Sequence, residues 1–170
     1  QALSDAITYS MSGVAPLAED KAYVGWLASD DGLLKLSTGP MTVQSDGSIN
    51  HTVDHSSRGY TGQNLIHIFN KIIITVEDID STFAYSLGPP VFSHEVPLEA
   101  MEHIRHLLTS WPAGSDKGIL TNLKEQLEVA IFHASLAQQS NTLEDLRQHT
   151  EHVINIIEGV GGPNYGDPDG

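Results

Sequence analysis

VFSHEVPLEAMEHIRHLLTSW, residues 91–111, is the stretch in which the chain changes its hydrophobic period. Val91 to His94 follows the break Gly88-Pro89-Pro90 and reads as a short edge strand, whereas Leu98, Met101, Ile104, Leu107, Leu108 and Trp111 recur at helical intervals. Pro97 stands at the junction, where its fixed φ and missing N–H suit a first helical turn. The reading on either side is an α+β chain. An antiparallel β-sandwich is expected over residues 1–95, a three-helix unit over 97–159 and an extended Gly/Pro tail over 160–170.

Upstream of the junction, short β-branched or alternating runs are punctuated by turn signals. Strands are predicted over Ala6–Ser12, Ala22–Ser29 and Leu33–Ser37, the last two joined by the hairpin turn Asp30-Asp31-Gly32. Met41–Gln44 and Ser48–Val53 flank Ser45-Asp46-Gly47 and suggest a second hairpin. Residues 54–63 are polar and read as a surface loop. Lys71–Asp78, KIIITVED, carries an unbroken Ile run expected of a strand buried on both faces.

Downstream, helix A should run from Pro97 to about Trp111 and helix B from about Lys117 to Gln138. Helix C should start at an Asn141 or Thr142 N-cap, with Glu144 and Asp145 in its first turn, and stop at Gly159. The apolar belt of helix B predicts the most buried of the three, packed on two sides.

The 170 residues are 39% apolar, enough for a packed core, and 8 basic against 22 acidic side chains give a net charge of −14. A field of that sign repels phosphate backbones, which argues against nucleic acid. The absence of cysteine excludes disulfides, thiolate metal sites and a Cys nucleophile. No apolar run is long enough for a membrane span. Hydrolase elbows, phosphate loops and dinucleotide fingerprints are missing too, so a non-enzymatic role is expected.

The nine histidines are the unusual feature. Five fall in the helical segment: His103 and His106 on helix A, His133 on helix B, His149 and His152 on helix C. Spacing of i, i+3 places each of the two pairs on one helical face. One reading has His133, His149 and His152 converge on a transition metal, Zn or Cu, with His103 and His106 as a second site and Glu102, Glu128 or Glu151 as a carboxylate ligand or hydrogen-bond acceptor. A non-covalent haem is the other cofactor these residues suit, with Phe132, Leu136 and Ile156 as walls of its slot. The plainer alternative is that the histidines are solvated or hydrogen-bonded helix residues. Weaker signals are His51 and His55 on one side of an extended segment, the glycosylation acceptor Asn50-His51-Thr52, and Asp167-Pro168-Asp169-Gly170, a fragment of a calcium loop.

The string from Ala6 to Ser93 resembles the extracytoplasmic C-terminal domain of anti-sigma-K factors. The shared points are GVAPLAEDKAYVGWL, the DDG turn, the Thr-Gly before the next strand, the Ser-Asp-Gly hairpin, the I-T-V-E strand and Gly-Pro-Pro before V-F-S. HTEHVINIIEG followed by NYGDPDG resembles tails of uncharacterised secreted proteins of Chloroflexus-like bacteria. The resemblance implies an exported bacterial β-sandwich, periplasmic, cell-surface or secreted, in which Gln1 would be the mature N-terminus. The expected function is a binding or assembly protein whose helical histidines hold a metal or haem, or a cofactor-free accessory subunit. Protein partners or self-assembly would use the sandwich edges and the tail.

Overall fold

The computed structural model describes residues 4–54, 64–80 and 88–166. The loop over residues 55–63, with His55, and the calcium-loop fragment at 167–170 lie outside the described residues, as does Gln1. Among the described residues the fold is α+β, with two antiparallel sheets and four helices. In chain order the elements are β1 (Ala6–Met11), β2 (Lys21–Ser29), β3 (Lys35–Met41), β4 (Ile49–Asp54), α1 (Leu65–Ile68), β5 (Phe69–Asp78), β6 (Pro90–Glu95), α2 (Leu98–Leu108), α3 (Ile119–Gln139) and α4 (Leu143–Glu158).

One sheet has the order β3-β2-β5-β6 and the other pairs β1 with β4. Tyr9, Met41, Ile49 and Ile74, from β1, β3, β4 and β5, form one buried cluster and so bring the two sheets together. β5 is a central strand, paired with β2 on one side and β6 on the other, and its neighbours Ile74 and Thr75 are both buried although they point to opposite faces. On β2, Val24 and Trp26 are fully buried, and the Trp26 indole N–H donates to the Thr75 hydroxyl at 2.9 Å. An indole enclosed this deeply needs such a partner.

The Asp30-Asp31-Gly32 turn forms as expected, with Gly32 N–H bonded to Ser29 O and the Asp31 carboxylate accepting from Leu33 N–H. Its strand begins later than predicted, at Lys35, because Leu33 and Leu34 stay exposed in the turn. Ser45-Asp46-Gly47 also makes a tight turn, closed by Gln44 N–H to Ser48 O. The expected hairpin across it does not form. Met41 remains in the four-stranded sheet while β4 crosses to pair with β1, in a register that sets Thr8 opposite Thr52.

Helix boundaries follow their signals. α4 is capped by Thr142, whose hydroxyl accepts from Asp145 N–H at 3.1 Å and donates to its carboxylate, and ends at Gly159, whose φ of +68° suits a residue without Cβ. One short helix, α1, precedes β5 and carries His67. α2 contacts α3 and is also bonded to the β half. Arg105 grips Asp30 in the β2–β3 turn with two hydrogen bonds, 2.6 and 2.8 Å, and donates Nε–H to Ile66 O. The bonded guanidinium holds the Asp30 carboxyl below its usual range. Arg105→Ala is therefore expected to cost about 2 kcal/mol, read from the urea midpoint. Because the folded carboxyl titrates lower than the unfolded one, this contribution is present above the ordinary carboxylate pKa and fades as pH falls through the folded value.

The expectation that helix B is the most buried helix is overturned. Ala130 is the one α3 residue that is fully buried, and Phe132 is 60% exposed. α3 packs mainly against α4 and less against α2, and one flank carries its apolar side chains into solvent. Residues 160–166, expected to be extended, instead turn back over the end of α4. Asn155 exchanges two 2.9 Å bonds with the Gly166 backbone, and Asn164 donates twice to Glu158.

Candidate metal centre

α3 and α4 are joined by three residues, 140–142, a length that forces an antiparallel hairpin. His133 and His149 are equally far along the chain from Asn141, so the hairpin sets them opposite each other. His152, one turn beyond His149, lies on the same face of α4. The result is a cluster of three half-buried imidazoles. His133 Nδ1 lies 3.3 Å from His149 Nδ1 and 3.2 Å from His152 Nδ1, and each residue offers a ring nitrogen within 4.8 Å of the other two.

Protons alone serve this arrangement poorly. An imidazole nitrogen has either one hydrogen or one in-plane lone pair, so His133 Nδ1 completes only one well-directed bond although two nitrogens approach it. A cation among the rings accepts a lone pair from each. Nitrogens bound to a tetrahedral ion at 2.0–2.1 Å stand about 3.3–3.4 Å apart, close to the 3.3 and 3.2 Å separations here. Desolvation, then the neighbouring His152 and His149, lower the pKa of His133, which favours the neutral ring a metal needs.

The structure thus brings together His133, His149 and His152, which could hold a metal ion. It does not bring His103 and His106 to them. Those two rings sit 6.2 Å apart on α2, and His106 packs against Trp111 at 4.8 Å with Glu102 4.0 Å from its Nε2. Among the described residues no carboxylate joins the trio. Glu128 lies beside Lys124, and Glu151 is about 200° round α4 from His149. Phe132 touches the His133 ring edge-on but faces solvent, while Leu136 and Ile156 are half-buried. His51 on β4 is bonded through Nε2 to Thr38 O.

Sequence reasoning missed His67. Its Nδ1 lies 3.2 Å from the Thr109 hydroxyl, and it lines an open cleft with His106, Asn64, Ser115 and Asp116. A single helical turn shows no period, so nothing in the sequence separated this histidine from loop residues. In comparisons with known proteins, no family model, curated protein or solved structure matches the chain.

Proposed function

We propose that this is a non-enzymatic binding protein whose α3–α4 hairpin is clamped by a transition-metal ion, zinc or copper, held by His133, His149 and His152. The observation that carries the reading is the pair of Nδ1 separations, 3.2 and 3.3 Å, at the edge length of a tetrahedral site. The chain has no cysteine, and nitrogen donors of this kind suit Zn and Cu. The hairpin has little else to hold it, since Ala130 is buried on α3 and no α4 residue is. In this reading the ion is structural, and the two sheets form a small β-sandwich scaffold.

An ion fits better than haem. A bis-imidazole haem requires two rings on opposite faces of a flat macrocycle, whereas these nitrogens face one another at hydrogen-bond distance and the proposed wall Phe132 lies in solvent. Purified protein incubated with zinc should retain one ion per chain and show no Soret band. At a hundredfold excess of free zinc over Kd the folded state gains about 2.7 kcal/mol, which raises the melting temperature by roughly 5–10 °C. No retained ion and an unchanged melting temperature would refute the clamp and leave the cofactor-free accessory subunit. Placement outside the bacterial cytoplasm belongs to the same proposal, and fractionation of the native source tests it.

A further inference from the structure

The exposed side chains of α3 and α4 are not scattered. On α3, Leu120, Leu123, Leu127 and Ile131 follow steps of three and four and are 41–65% exposed. On α4, Leu143, Leu146, Thr150, Val153 and Ile157 follow strict three-four spacing, the seam that a partner helix fills with interlocking side chains. Leu143, Leu146 and Ile157 there are 42–62% exposed.

Helical geometry puts both stripes on one face of the hairpin. Taking His133 and His149 as the contact line, each stripe is centred roughly 70–120° round its helix in the same rotational sense. In two antiparallel helices that sense leads to the same side of the pair. No charged residue falls along either stripe of the face, and seven of its apolar side chains are 41–65% exposed. Its exposed area is on the order of 800 Å², half of a standard interface.

We infer that a second copy of this chain docks on this face, so that two α3–α4 hairpins close a four-helix bundle around a two-fold axis. A self-complementary apolar stripe is what an isologous contact requires. The hairpin also lacks an apolar core of its own, and a second layer supplies one. The net charge of −14 on the chain is the wrong sign for an anionic membrane surface. The proposal is independent of the metal, because the His trio lies on the seam between the helices of one hairpin.

Size-exclusion chromatography with light scattering on the full chain tests it. At micromolar concentration the expected mass is twice the 18.4 kDa of one chain, and added salt should tighten the dimer by screening a net charge of −14 per copy. Leu127→Glu with Ile131→Glu buries four uncompensated charges in the dimer and should weaken it at least a hundredfold while helical circular dichroism is kept, since both residues are exposed in one chain. Phe92→Glu, on the β6 edge, should leave the dimer intact. A monomeric wild type, with or without vesicles or another protein bound, overturns the proposal. So does a dimer that survives the helix variant or is dissociated by Phe92→Glu.

Discussion

Gly25→Ala should lower stability by about 2–4 kcal/mol, through overpacking and the loss of one buried hydrogen bond. Gly25 lies in β2, opposite Gly39 on β3 and Ile74 on β5, where the two sheets meet. A Cβ there would stand 2.3 Å from the Thr38 hydroxyl and 2.8 Å from the Tyr9 hydroxyl, which are bonded to each other at 3.0 Å. Both groups are enclosed, and burial raises the Tyr9 pKa, so neither side chain can swing into water. The urea midpoint should fall with an unchanged slope. Tyr9→Phe removes the bond without the clash and should cost about 1 kcal/mol. Equal costs for the two variants, or none for Gly25→Ala, would mean that the sheets do not meet at Tyr9 and Thr38.

His133→Ala should abolish measurable zinc binding, a fall of at least roughly a hundredfold, because it removes the nitrogen that both other histidines approach. His103→Ala and His106→Ala, with side chains that do not reach the trio, should leave the affinity unchanged. Protons compete for the same lone pairs. Affinity is expected to be full above the ordinary histidine pKa, about 6.5, and to fall steeply as pH drops below it. The depressed pKa of His133 extends the binding range of that one ligand to lower pH. Titration calorimetry across pH 5–8 checks the sign; affinity that rises on acidification would contradict imidazole ligation.

Much of the helical half was legible because its signals are local. Thr142 with Asp145, and Gly159, mark the ends of α4 wherever the helix packs, and Pro97 marks the start of α2. The His149–His152 pair was visible for the same reason, since i, i+3 spacing fixes a shared face. That His133 faces them follows from the three-residue turn. Non-local pairing was harder to read. The turn at Ser45-Asp46-Gly47 forms, but whether β4 pairs with β3 or with β1 depends on which apolar face finds Tyr9, and no short-range pattern carries that. The apolar belt of α3 misled for a related reason. Periodicity shows that Leu123, Leu127 and Ile131 share a face, and it is silent on what covers that face.

X-ray absorption at the zinc edge of the zinc-loaded full chain tests the central claim most directly. The account predicts a first shell with three imidazole nitrogens at about 2.0–2.1 Å, and loss of that imidazole-bound zinc when His149 is replaced with alanine. A shell of oxygen atoms without imidazole scattering, or an unchanged spectrum in His149→Ala, would contradict it.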